Sequence, residues 1–423
     1  MSSEAQSTSS FAVSLRRRVP ASQYDVVIAG GGPAGASAAI HLAALGARVL
    51  VAEQKHFPRA KLCGEFISPE CLEHFNRLGV LDRMIDAGGA RLAETRFYSR
   101  SGRSVNVPSE WFGASSTAAL GLSRAEMDAR LLARAKEAGV EVLEGAQAVR
   151  VLSQGGRVRG LSLKQDGRVV EVNSLVALDA TGRARALARL TERVNDRRAS
   201  ARQRPRLVAF KAHLEDARGA PAHCEIYFYR GGYGGLSRVE NNLSNLCFIA
   251  RARDVRACGG DAARVVREVL MKNQRAAQTL AQARAHSGWL AVALEGFGRR
   301  AIVPAAGLLA VGDAASFIDP FTGSGMLMAL ESGALAARVV ARHLCALRGG
   351  APFEGAARDY RALYRKSFGA RLRVCAMMRR AAFVPRFAET LILALGASTR
   401  ARRRLARSTR SSVERADSQY RLR

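Results

Sequence analysis

The stretch Tyr24-Asp25-Val26-Val27-Ile28-Ala29-Gly30-Gly31-Gly32-Pro33-Ala34-Gly35 decides the fold. Its first half, Asp25 to Ala29, is a short apolar run rich in β-branched residues and reads as a fully buried strand. Gly30-x-Gly32-x-x-Gly35 follows, then an Ala-rich helical run to about Leu45, then a second apolar strand, Arg48-Val49-Leu50-Val51-Ala52, that ends on Glu53. Strand, glycine turn, helix, strand and terminal acid in that order make the βαβ unit that binds a dinucleotide. Gly30 permits the tight turn, and Gly32 lets the backbone approach a pyrophosphate. Gly35, with Ala39, lets the helix lie close on the sheet. Ala34 sits in the first helical turn, whose free amides and positive dipole face phosphate. Glu53, with Gln54 beside it, is placed to accept hydrogen bonds from an adenosine ribose. By itself the unit suits FAD and NAD alike.

Two later segments select FAD. Gly307 to Val311 reads as a short buried strand running into Gly312-Asp313-Ala314-Ala315, then Asp319-Pro320, then Gly323-Ser324-Gly325 opening a helix from Met326 to about His343. The Asp313 carboxylate suits a ribityl hydroxyl. The amides after Gly323, at Gly325 and Met326, face the place where a reduced flavin ring carries negative charge. The competing reading is that Asp313 only caps the following turn. Leu175 to Asp179, with Ala180-Thr181-Gly182-Arg183, is a second strand ending in an acid and a glycine turn; Asp179 and Gly182 join the cofactor set, although such turns are also ordinary punctuation.

The chain has 423 residues, 48% of them hydrophobic, which is enough for two interleaved domains and an extension. Arginine and lysine number 66 against 36 acids, a net charge of +30. The arginines are spread along the chain, and no helix-turn-helix, zinc-finger or RNP-like pattern accompanies them, so no nucleic-acid partner is expected. Seven scattered cysteines without a C-x-x-C pair argue against a metal site and for a reducing, cytoplasmic compartment. Residues 1–22 lack the apolar core of a signal peptide and read as a disordered leader. No run reaches the roughly 18 to 20 apolar residues of a membrane span.

The fold expected is α/β, α+β overall: a Rossmann-type FAD-binding domain with a parallel sheet (residues 23–85, 120–190 and 300–350) interleaved with an antiparallel-sheet substrate domain (86–119 and 191–299). A helical basic region follows at 351–423. Alternation in Leu207-Val208-Ala209-Phe210-Lys211-Ala212-His213 and Glu225-Ile226-Tyr227-Phe228-Tyr229 supports the second sheet. Between two strands, Gly231 to Ser237 reads as a glycine-rich turn that either carries Tyr233 into the cavity or is a plain hairpin with an exposed tyrosine. In the C-terminal region, Phe387, Leu391, Ile392, Leu393 and Leu395 precede Arg400, Arg402, Arg403, Arg404, Arg407 and Arg410. That pattern fits either a helix on an anionic membrane surface or one packed on the protein with a solvated basic tail.

In order and spacing, Gly30 to Gly35, Asp179 to Gly182 and Gly312 to Glu331 resemble the para-hydroxybenzoate hydroxylase-like flavoproteins over roughly residues 22 to 345. Within that superfamily the chain looks most like the geranylgeranyl reductase family. The stretches that point there are Arg59-Ala60-Lys61-Leu62-Cys63-Gly64-Glu65 and Gly312 to Met326, followed by Ala329-Leu330-Glu331-Ser332-Gly333. The resemblance implies that Lys61, Cys63 and Gly64 lie beside FAD and that Arg124 contacts it from the start of a helix. It also implies that Tyr233 and Cys63 face flavin and substrate. Glu65 and His74 are lesser candidates for proton transfer. An exposed Arg124, and a Cys63 that is merely a small buried hydrophobe, are the competing readings. Ala180 replaces the hydroxylases' usual glycine and Ser316 their histidine, which weakens the case for hydroxylase-type handling of NADPH. The W-x-W-x-I-P signature of flavin halogenases is missing, since Trp111 and Trp289 stand alone, so halogenation is not expected.

The function implied is reduction of C=C bonds in a hydrophobic, isoprenoid-like substrate by hydride from reduced flavin N5, with NAD(P)H or another external electron donor. The alternative is an FAD-dependent monooxygenase that hydroxylates an aromatic or polyketide-like substrate through a flavin hydroperoxide; a flavin-containing binding module is more remote. Expected partners are a hydrophobic small molecule or lipid and the electron donor, with an anionic membrane surface on the membrane reading of the C-terminal region.

Overall fold

The computed structural model describes residues 24–112, 116–195, 206–294, 297–382 and 385–408; the expected leader and the last residues, Arg410 among them, lie outside these. The strand Tyr24–Ala29 is buried at all six positions. It is flanked in parallel by Val49–Glu53 and by Arg168–Asp179, in registers Val26↔Val49 and Val26↔Val176. Glu141–Glu144 and Leu308–Ala310 extend the sheet in parallel on either side. Beyond them the sheet is mixed. Arg168–Asp179 is 12 residues long, and its first half pairs antiparallel with Arg157–Gln165, which pairs antiparallel with Gln147–Gln154. The tight turn at Asp166 and Gly167, with φ of 49° and 78°, folds this meander back, so one strand serves a hairpin at one end and the parallel sheet at the other.

The helix Pro33–Ala44 covers this sheet and packs on the 24-residue helix Gly325–Arg348. Small residues set the distance: a Cβ on Gly333 would meet the Ala34 carbonyl at 2.3 Å, and Ser37 Oγ donates to the Leu330 carbonyl at 2.9 Å.

The second, eight-stranded sheet runs mostly antiparallel, with Leu207–Glu215, Ser244–Arg251, Gly232–Arg238 and His223–Tyr229 at its centre and Glu94–Tyr98 and Ser104–Pro108 at one edge. Period-2 alternation divides its side chains. Phe210, Tyr227 and Tyr229 pack with the helices Ala252–Ala257, Ala262–Glu268 and Gln274–Leu280, while Ala209, Phe228 and Ile249 face the other way, toward Phe317 and Ile392. The stretch expected as a glycine-rich turn is instead the interior strand Gly232–Arg238. Crowding explains its glycines: a Cβ on Gly232 would lie 1.9 Å from the Ile249 carbonyl oxygen and 2.8 Å from the Tyr229 ring. Only Gly231, at φ 90°, serves the turn itself.

At the C-terminal end, Glu354–Ala382 packs on Gly325–Arg348 through an Arg371–Glu331 ion pair at 2.7 Å and on the strand Leu308–Ala310 through Tyr360 Oη, which donates to the Ala310 carbonyl at 2.8 Å. The helices Pro385–Ala397 and Thr399–Ser408 then cross onto the edge strand Ser104–Pro108 and the turn Ser109–Phe112. The side chain of Phe387 lies outside the described residues. No helix among the described residues is long and apolar enough to cross a membrane.

Candidate active site

A cavity of about 680 Å³ runs between the two sheets. Sequence-expected residues on its wall include Gly30, Gly32, Ala34, Glu53, Gln54, Lys61, Cys63, Gly64, Glu65, Arg124, Gly182, Tyr233, Asp313, Gly323, Gly325 and Met326. Gly35, Asp179 and His74 do not line it. Gly35 is consumed by packing, since a Cβ there would sit 1.9 Å from the Gly30 carbonyl oxygen. Asp179 holds its own turn: it is fully buried and accepts from Thr181 N at 3.1 Å, Thr181 Oγ1 at 2.6 Å and Ala188 N at 3.0 Å. His74 belongs to the helix Pro69–Arg77.

At the nucleotide end, Gly31 N and Lys55 N donate to Glu53 at 2.8 and 3.0 Å, fixing its carboxylate at the tip of its strand. Gly30 takes φ 106°, where a Cβ would meet the Ala180 carbonyl at 2.4 Å. Gly32 differs. Its missing Cβ faces open space, with Arg59 Nη2 at 3.7 Å and Arg124 Nη2 at 3.8 Å beyond it, leaving a slot between bare backbone and two guanidinium groups.

Those guanidiniums are tethered from behind. Arg124, the first residue of the helix Arg124–Glu137, gives a bidentate pair to buried Asp128, Nε to Oδ1 at 2.8 Å and Nη2 to Oδ2 at 2.7 Å. Arg59 Nη1 stands 3.2 Å from Asp128 yet makes no hydrogen bond to a described residue. Burial, with Arg124, Arg59 and Arg183 nearby, pushes the Lys61 ammonium below its ordinary value. Burial raises the Asp313 carboxyl, against the pull of Arg183, Arg124 and Lys61. The open glycine slot is thus ringed by cationic groups, an arrangement whose chemistry suits an anion such as a diphosphate. Asp128 was not anticipated, although its i,i+4 spacing from Arg124 was readable.

The Cys63 loop is held from the second sheet. Asn245 Nδ2 donates to the Cys63 carbonyl at 3.1 Å and Glu65 N approaches Cys63 Sγ at 3.4 Å. Glu65, fully buried at φ 52°, accepts from Arg124 N at 2.8 Å, pairs with His213 Nε2 at 2.7 Å and takes a hydrogen bond from buried Lys211. Burial pushes its carboxyl up, but His213 and Lys211 outweigh that and hold it below the usual range. Glu65 is therefore an engaged carboxylate. Lys211 and His213 share one face of their strand, and that spacing was the only sequence signal for their pairing. Burial raises the neighbouring Cys247 thiol to about 12.

The remaining half of the cavity is apolar. Phe97, Phe228, Phe321 and Tyr233 form a cluster with ring centroids 5.5 to 6.4 Å apart. Val105, Ile249 and Leu294 widen it, and Ile392, Leu395 and Leu405 roof it from the C-terminal helices. Tyr233 Oη donates to Asp319 and accepts from Phe321 N at 3.0 Å. Burial and the Asp319 carboxylate push its phenol well above the ordinary value.

The sequence matches the FAD binding domain family over residues 23–352. The chain belongs to that family. It is an FAD-dependent oxidoreductase. A menaquinone reductase of Mycolicibacterium smegmatis is 29% identical over 338 residues, covering 75% of this chain and 76% of the relative. A digeranylgeranylglycerophospholipid reductase of Methanopyrus kandleri is 29% identical over 329 residues, 75% and 77% of the two chains. Among solved structures, the flavin-dependent brominase Bmp2 shares the fold at TM-score 0.75 and 21% identity, covering 92% of this chain and 94% of the other. In sequence the chain is similar to these reductases, and in fold to the brominase as well, so the shared architecture is wider than the geranylgeranyl reductase resemblance alone implied.

Proposed function

We propose that this enzyme reduces C=C bonds of an isoprenoid-like substrate. The observation that carries the reading is the continuity of one cavity, from a cationic glycine slot to an aromatic and aliphatic compartment. Support comes from the two reductases that match three quarters of the chain. Bound reduced FAD supplies a hydride equivalent at its N5.

The chain's own groups do the rest. Glu53 binds the adenosine ribose; Gly32, Arg59, Lys61 and Arg124 hold the diphosphate; Asp313 takes a ribityl hydroxyl. The N-terminal amides of Gly325–Arg348 offset negative charge on the reduced ring. The phenylalanine cluster excludes water and orients the apolar substrate. Cys63 Sγ is the atom we assign to proton transfer at the carbon next to the one that receives hydride, and Tyr233, whose Oη donates to Asp319 and accepts from Phe321 N, fixes the aromatic wall facing it. The electron donor is NAD(P)H or another external reductant, and the enzyme works on substrate drawn from a membrane surface.

A second reading, oxygen-dependent hydroxylation, is favoured by the overall shape, which a flavin-dependent brominase shares along nearly its full length. The test is to reduce the purified holoenzyme chemically and incubate it with menaquinone and with digeranylgeranylglycerophospholipid, with and without air. Products that gain two hydrogens in the isoprenoid chain without air, scored after any quinol has been reoxidised to quinone, support the proposal. A product gaining one oxygen only in air replaces it with the second reading.

A further inference from the structure

The basic side chains Lys55, Arg59, Lys61, Arg124 and Arg183 line the nucleotide half of the cavity, whereas Arg402 lines it from the roofing helix Thr399–Ser408. Its partners are all neutral. Nη1 donates to the Asn106 carbonyl at 3.2 Å and to Asn106 Oδ1 at 2.7 Å, Nη2 donates to Thr399 Oγ1 at 3.0 Å, and the guanidinium carbon lies 5.7 Å from the centre of the Trp111 ring. Nε is buried and makes no hydrogen bond to a described residue. No carboxylate forms an ion pair with Arg402 among the described residues. The same helix carries Arg400, Arg403, Arg404 and Arg407 and no acid. A partly desolvated guanidinium without a counter-charge is costly, and its planar fork matches an oxyanion. The same cavity wall carries the apolar side chains of Val105, Leu395 and Leu405.

We propose that Arg402 receives the oxyanionic head group of an amphipathic substrate, a phosphate ester whose apolar chain fills the compartment beneath the roof. This rests on the reading that the compartment takes a hydrophobic substrate. Trp111 and Asn106 fix the guanidinium, so the head group is held at the rim while the chain extends toward the Phe97, Phe228 and Phe321 cluster. The site then selects by head group at one end and by reaction at the other. The neighbouring arginines raise the local concentration of such anions.

The test titrates the holoenzyme with geranylgeranyl monophosphate and with geranylgeraniol, reading the perturbation of the bound flavin spectrum. The phosphate is expected to bind about tenfold tighter or better, the scale of one charge-assisted contact. Arg402→Gln removes that preference and leaves the affinity for the alcohol unchanged, Arg402→Lys keeps part of it, and Arg404→Gln, at an exposed neighbour, keeps all of it. Equal binding of phosphate and alcohol to the unaltered enzyme, or a preference that survives Arg402→Gln, overturns the assignment. If neither compound perturbs the flavin, the hydrophobic-substrate reading itself fails and takes the assignment with it. Short-chain phosphatidate separates the sources. Arg402-dependent binding of that lipid assigns a membrane head group, and Arg402-dependent binding of the prenyl phosphate alone assigns a free phosphate ester.

Discussion

Two alanine substitutions three residues apart separate the roles of the glycine motif. At Gly32 the backbone has φ −72° and ψ −174°, which alanine adopts without strain. A Cβ there meets nothing nearer than Arg59 Nη2 at 3.7 Å and Arg124 Nη2 at 3.8 Å. Gly32→Ala therefore folds normally, with stability within about 0.5 kcal/mol of the parent. Its methyl group, however, occupies the slot through which a diphosphate reaches backbone and guanidinium. Loss of one charge-assisted contact costs about 1.5 to 3 kcal/mol, or roughly 10- to 150-fold in FAD affinity. At Gly35 a Cβ would lie 1.9 Å from the Gly30 carbonyl oxygen, so Gly35→Ala must displace helix from sheet, and the fold loses at least about 1 to 3 kcal/mol. The assay is FAD titration of apoprotein by flavin fluorescence, beside thermal melting. If Gly32→Ala binds FAD as tightly as the parent, or if Gly35→Ala melts unchanged, the geometry assigned to the cradle is wrong.

Asp313→Ala is expected to purify largely free of flavin, because its carboxylate faces Arg183, Arg124 and Lys61 on the cavity wall; normal occupancy measured by released FAD would refute the role given to Asp313. Glu65→Gln leaves buried Lys211 without its counter-charge and should lower stability at neutral pH by about 3 kcal/mol, while Lys211→Met added to it recovers much of the loss. Because the Glu65 carboxyl is held below its usual value, its contribution is complete above about pH 4.5 and disappears as pH falls through the lowered value. The gap between parent and Glu65→Gln in urea melts should therefore close in acid, and a gap that widens there contradicts the pairing.

The nucleotide half of this site was written locally. Gly30, Gly32, Gly35 and Glu53 fall at fixed positions of one βαβ unit, and the strand and helix expected there match Tyr24–Ala29 and Pro33–Ala44 within a residue or two. What the sequence hid was long-range. Glu65 looked like a candidate for proton transfer, but Lys211 and His213, on a strand nearly 150 positions away, close around it. Asp179 looked like a ligand because strand, acid and glycine recur at cofactor sites, but its hydrogen bonds go to its own turn and to the start of the helix Ala186–Asn195. Gly232 to Gly235 looked like a turn because glycine usually signals one. Here the glycines answer crowding across a central strand, which only the tertiary fold creates. Likewise the apolar and basic pattern at the C-terminal end did not distinguish a membrane surface from a protein surface. The described part of it covers the substrate end of the cavity.

The most direct test of the central claim follows the visible absorbance of the bound flavin in a single turnover. The holoenzyme is reduced stoichiometrically without air and mixed rapidly with a polyprenyl substrate that has no quinone ring, such as digeranylgeranylglycerophospholipid. The account predicts that the flavin reoxidises in the absence of oxygen, in proportion to the substrate added and to the saturated product formed. A flavin that stays reduced with every such substrate and reoxidises only when air is admitted would contradict it.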